Sequence, residues 1–334
     1  GSQTSATNVA ITTAGNFSSA QATVVASQNL NVASADLNNA GGTLAAGQAA
    51  NLQTDALNND GGLIQTGGDL TINTHGQTLT NTNAANYTSS NAALNGKGGI
   101  AAQGAITFIT GDLNNNAGYL GSKGALTATS ANISNTQNGQ IQGLDSVTLT
   151  AGAGSINNTG GLVRSSATTS LSAGTVTNSN TLSTTNPDLG IEGSSVAISA
   201  TTLGNDSGAI RATNNLSVAS AGTVNNNGGL MSAGDTLTLQ DSQAASSKTL
   251  AISNTAGTLI ADKTLTVSAG SLGGDGKVLS LGDLSLSLNS NFSNSGEVIA
   301  NGNATINTSG NVTNSGKLQA GDTLTLTANN IGNT

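Results

Sequence analysis

The segment Lys317-Leu318-Gln319-Ala320-Gly321-Asp322, Thr323-Leu324-Thr325-Leu326-Thr327, Ala328-Asn329-Asn330-Ile331-Gly332-Asn333 reads as three short strands parted by two turns. Leu324 and Leu326 alternate with Thr325, a period of two that sends the leucines to one side and the threonine to the other and disfavours a helix. Gly321-Asp322 and Asn329-Asn330 supply the turns, because glycine takes positive φ freely and Asn and Asp bond their own main chain.

Outward from this segment the same phrase recurs along the chain. Inward pairs of the same spacing are Leu30/Val32, Leu70/Ile72, Ile106/Phe108, Val147/Leu149, Val196/Ile198, Leu216/Val218, Leu237/Leu239, Leu265/Val267, Leu284/Leu286 and Ala304/Ile306. A single apolar anchor then follows, at Phe17, Leu37, Leu57, Leu79, Leu113, Ile133, Ile156, Val176, Leu203, Val224, Ile252, Leu272, Phe292, Val312 and Ile331. The anchors lie 19 to 23 residues apart, with longer steps of 34, 27 and 28. Such a period is one coil of a solenoid. A strand with one or two inward side chains is not stable alone, so the coils must stack, pair in parallel and share one apolar column. The expected fold is all-β, a right-handed parallel β-helix of about 15 coils forming a single domain over residues 1–334.

Two positions beyond thirteen of the anchors stands asparagine: Asn39, Asn59, Asn81, Asn115, Asn135, Asn158, Asn178, Asn205, Asn226, Asn254, Asn294, Asn314 and Asn333. In stacked coils these amides are placed to bond one another in a ladder. Gly41-Gly42, Gly61-Gly62, Gly160-Gly161 and Gly228-Gly229 follow at the next corner, where positive φ costs glycine little. These are scaffold residues.

The three long steps locate insertions at 82–98, 179–190 and 241–249. Insertions in a solenoid leave it as surface loops and often carry recognition. Their candidate contact residues are Tyr87 and Lys97, Pro187 and Asp188, and Asp241 and Lys248.

Composition narrows the function. Sixteen acidic against eight basic residues leave no cationic surface for a polyanion, so nucleic acid is not an expected partner. The absence of Cys removes disulfide and thiolate chemistry and favours an exported chain modestly. No apolar run is long enough to span a bilayer, and a monomer is expected. Gly1-Ser2 resembles a cloning scar, which would place any export signal outside this sequence.

The phrases Leu57-Asn58-Asn59-Asp60-Gly61-Gly62-Leu63-Ile64-Gln65-Thr66-Gly67-Gly68-Asp69-Leu70-Thr71-Ile72 and Val224-Asn225-Asn226-Asn227-Gly228-Gly229-Leu230-Met231-Ser232-Ala233-Gly234-Asp235-Thr236-Leu237-Thr238-Leu239 resemble the filamentous hemagglutinin repeat. That resemblance covers nearly the whole chain. It implies a large Gram-negative exoprotein of two-partner secretion, either an adhesin of the filamentous hemagglutinin type or an effector of contact-dependent growth inhibition. It further implies a secreted, cell-surface filament, an outer-membrane transporter as partner during export, and a receptor on a host or neighbouring bacterial cell.

Catalysis is not expected. Some β-helices cleave polysaccharides, but that chemistry needs two facing carboxylates or metal-binding acids with a base. Asp69, Asp235, Asp283 and Asp322 each follow a Gly ahead of a strand, which is turn chemistry. Glu192 and Glu297 fall several coils apart, and Arg164 and Arg211 read as each alone in its coil. His75, the single histidine, reads as a solvent-facing loop residue with no thiolate to join it at a metal. No cofactor is expected.

Overall fold

A computed structural model describes every residue except 1, 90 and 244–246. The chain divides into two units, Gly1–Ala167 and Thr168–Thr334. Each is a stack of coils in which equivalent strands pair in parallel, as the alternation requires.

In the first unit the opening strands of successive coils include Thr23–Ala26, Thr43–Ala46, Leu63–Thr66, Gly99–Ala102, Tyr119–Ser122, Gln140–Gly143 and Leu162–Ser165. Their register puts Val24, Leu44, Ile64, Ile100, Leu120, Ile141 and Val163 in one inward row. In the second unit the matching row is Ile191, Ile210, Met231, Leu259, Val278, Val298 and Leu318. The anchors form rows of their own, Leu37 to Ile156 in one unit and Val176 to Leu272 in the other. Apart from Leu318, which is half-buried, these side chains are 5% exposed or less. Burial of each aliphatic contributes about 1.5–3 kcal/mol, so the core is a sum of many equivalent terms.

Two coils depart from the three-strand pattern. Thr168–Thr177 and Ser195–Gly204 run unbroken through the corner that elsewhere parts the second strand from the third. In the latter, Ala200-Thr201-Thr202 stands at that corner, and β-branched threonines stay extended where Ser, Gly or Asp would turn. The segment 317–333 differs in burial: Leu324 and Ile331 are exposed.

The double glycine has two separate causes. Gly41, Gly61, Gly160 and Gly228 adopt φ near +60°, yet Gln21, Ala117, Ser207 and Ala256 hold the same left-handed conformation in other coils. The second glycine answers a tighter constraint. A Cβ on Gly118, Gly161, Gly208 or Gly257 would lie 1.9–2.0 Å from the main-chain oxygen of the ladder asparagine one coil back. Sequence reasoning assigned both glycines to backbone freedom, whereas the second is set by close approach between coils.

Candidate functional site

The asparagine ladder runs through the interior of the coils. Asn39 Nδ2 donates to Asn59 Oδ1, Asn59 to Asn81, Asn81 to Asn115, and Asn115 to Asn135, each at 2.7 Å. Asn135 donates to Asn158 at 2.7 Å. In the second unit Asn178 bonds Asn205 at 2.8 Å, Asn205 bonds Asn226 at 2.7 Å and Asn226 bonds Asn254 at 2.8 Å. Asn294, Asn314 and Asn333 form a further run. The second amide proton reaches the first strand of the following coil, as from Asn81 to Tyr119 O and from Asn178 to Ala209 O. Where Gly274 takes the ladder position, Asn254 keeps that bond, to Lys277 O at 3.0 Å. A fully buried amide is tolerated because its donors and acceptor are met.

The 82–98 insertion folds back on the coils. It contains two short 3-10 turns, Ala84–Asn86 and Ala92–Leu94. Asp60 Oδ1 accepts from Thr82 Oγ1 at 2.6 Å and from Asn83 Nδ2 at 2.7 Å, and Ala84 N donates to Ala117 O at 3.0 Å. Tyr87, expected among the surface contacts, is 3% exposed, with its hydroxyl 2.6 Å from Thr43 Oγ1. It is corrected to a pin that holds the loop to the sheet, since a side chain so covered has no face for a partner. Lys97 is exposed as expected.

Between this loop and the outer face of the first-strand sheet lies a cleft of about 690 Å³, lined by Leu63, Gln65, Leu94, Lys97, Ala101, Tyr119 and Gln140 among others. Tyr119 is the wall opposite the loop. Its ring is laid back along its own strand over Gly121, where a Cβ would sit 2.3–2.7 Å from the phenol. A second hollow of about 250 Å³ borders the other side of Tyr119 and reaches Lys123 and Gln142, whose Nε2 donates to Gln140 Oε1 at 2.8 Å. Sequence reasoning missed Tyr119. It stands at the first position of an opening strand, the row occupied by Leu63, Gly99, Gln140 and Leu162, and an aromatic residue there in a chain with so few was the available signal.

In the 179–190 insertion Pro187 and Asp188 are exposed. The 241–249 insertion includes 244–246, outside the described residues. Its flanks are structural. Asp241 accepts from Gln243 N at 2.8 Å, from Leu250 N at 2.5 Å and from Thr249 N. Burial pushes its carboxyl up, but those three N–H groups and the Lys248 ammonium together outweigh it and hold the carboxyl below its ordinary value. Lys248, expected as a contact, is corrected to a buried clamp: its Nζ donates to Ser287 O at 2.7 Å and Ser287 Oγ at 3.0 Å. Desolvation lowers its pKa, opposed by the Asp241 charge.

Some of the acids and bases pair between neighbouring coils. Arg211, read as alone, donates to Glu192 Oε1 at 3.0 Å and to Leu189 O at 3.1 Å. Lys263 meets Asp235, Lys277 lies 3.5 Å from Glu297, and exposed His75 lies 3.4 Å from Asp55. Asp69 accepts from Ala105 N and Asp283 from Asn303 N, each at 2.8 Å, so these turn carboxylates cap the next coil. Among the described residues no group of three or more His, Cys, Asp or Glu is placed to hold a metal, and no helix is long and apolar enough to cross a membrane.

The haemagglutinin repeat family matches residues 1–83, 180–260 and 240–334, more than half of the chain. With a parallel β-solenoid whose repeating unit carries the match, the chain belongs to that family. No curated protein and no solved structure matches it.

Proposed function

We propose that the chain is a non-catalytic shaft segment of a large secreted bacterial surface protein, holding an adhesive, receptor-binding or toxin-delivering region away from the cell for contact. The observation that carries this reading is the regular stacking of coils within each unit. Coil after coil repeats the same aliphatic rows and asparagine ladder, several carboxylates cap turns or pair with the adjacent coil, and the family match falls in both units. Stacked coils of this kind supply reach. Export would run through an outer-membrane two-partner-secretion transporter, and the contact partner would be a receptor on a host or neighbouring bacterium.

The test is surface labelling of intact cells that express the full reading frame, with an antibody against this segment. Labelling is expected when the cognate transporter is present and absent when it is deleted. Equal retention inside the cell in both strains sinks the proposal. Release of reducing sugar or unsaturated uronate from any member of a polysaccharide panel would favour the alternative, a β-helix enzyme.

A further inference from the structure

We propose that the cleft between the 82–98 loop and Tyr119 is a saccharide site that takes a uronate-containing polysaccharide, with the Tyr119 ring beneath a pyranose and Lys97 on its carboxylate. The proposal does not rest on the shaft reading, because it concerns a site formed within the first unit.

Three features converge there. The wall is aromatic: Tyr119 is half-buried and its ring borders both hollows, which suits the apolar C–H face of a sugar. Gly98, Ala101 and Gly118 line it with little or no side chain, which leaves room for a sugar ring, and the cleft opens to solvent. The rim carries amides from Gln65 and Gln140, groups that both donate to and accept from hydroxyls.

The charge is equally specific. The lining of the cleft includes Lys97 and no acidic residue, and Lys123 stands beyond Tyr119, although acids outnumber bases by 16 to 8 in the chain. Neither lysine has an ion-pair partner among the described residues. A carboxylate on the ligand would meet an unneutralised ammonium and make a charge-assisted hydrogen bond. A peptide fits less well. Gly99–Ala102 and Tyr119–Ser122 are paired on both sides, leaving no strand edge to extend.

The cleft is also pre-formed, which lowers the ordering cost of binding. Tyr87 pins the loop, Gly96 N donates to Tyr87 O at 2.8 Å and Gly98 N to Ala84 O at 3.0 Å.

The test is calorimetric titration of the full chain with an α-1,4-galacturonate hexamer and with the same hexamer fully methyl-esterified. The acid form is expected to bind about tenfold or more tighter than the ester. Tyr119→Ala should weaken both by about tenfold or more, while Tyr119→Phe, which keeps the ring, should preserve both. Lys97→Gln should bring the acid form down to the ester without altering the ester. Circular dichroism of each variant checks that the coils are intact, and deletion of 88–95 provides a second route to opening the cleft. Binding of neither hexamer, or binding unaffected by Tyr119→Ala and by the deletion, overturns the assignment; equal affinity for acid and ester overturns the role of Lys97. Surface labelling on cells is a separate readout, so failure there leaves this result standing.

Discussion

The ladder asparagines from Asn39 to Asn294 are buried amides whose cost is offset only by hydrogen bonding, so the replacement of one is felt by its neighbours. Asn226→Ala would leave the Asn205 donor and the Asn254 acceptor without their partners. It should cost about 2–4 kcal/mol, read as a lower urea midpoint. An unchanged midpoint would show the ladder to be dispensable. Gly160 and Gly161 separate two effects that look alike on paper. Gly160 has φ +62° and open space around it, so Gly160→Ala should cost about 1 kcal/mol. Gly161→Ala drives a Cβ to 2.0 Å from Asn135 O and should cost about 3 kcal/mol or more. Equal melting temperatures for the two variants would refute the distinction.

At the scale of the element, the insertions are the parts whose structure depends on contacts between coils. Tyr87→Phe removes the hydroxyl bond to Thr43 and should lower the local stability of the 82–98 loop by about 1 kcal/mol, seen as faster amide exchange at Gly96 and Gly98. Exchange as slow as in the parent would mean that the ring alone holds the loop. Asp241 makes a pH prediction. Its folded carboxyl is held below its unfolded value, so its contribution is present above the ordinary carboxylate range and is lost as pH falls through the lower, folded value. The parent should therefore lose more stability on acidification than Asp241→Asn, measured by melting across that interval, and parallel curves would count against the capping role.

What could be read in advance divides along the same line. The alternating Leu/Thr pairs, the anchors and the asparagines carry their signal within one coil, so strand, inward face and ladder were all legible. Tyr87 and Lys248 read as surface contacts because their loops were insertions, and only the folded coils show Thr43 and Ser287 waiting beneath them. The Arg211–Glu192 pair spans 19 residues, one coil, and subtracting the period from each charged position would have found it. No such arithmetic yields the Tyr119 cleft, which needs the return path of a loop.

For the whole molecule, stability in each unit is expected to be a sum of coil terms and nearest-neighbour terms. Val224, fully buried and registered between Leu203 and Ile252, tests this. Val224→Asp would place an uncompensated charge in the anchor row and cost about 4 kcal/mol or more. Loss of exchange protection should be greatest in the coils holding Leu203, Val224 and Ile252 and fade toward Val312. Uniform loss across Thr168–Thr334 would instead show that unit to be a single cooperative block.

The ladder has a polarity. The asparagine-to-asparagine bonds described above all give their hydrogen toward the C-terminal neighbour, from Asn39 to Asn59 and onward, as from Asn178 to Asn205. A finished coil thus presents a pre-aimed hydrogen to the coil that comes after it, and the incoming asparagine arrives carbonyl first. Assembly templated in this way has a built-in arrow that coincides with the order of synthesis, and a chain threaded out N-terminus first would find each docking place already charged to receive it.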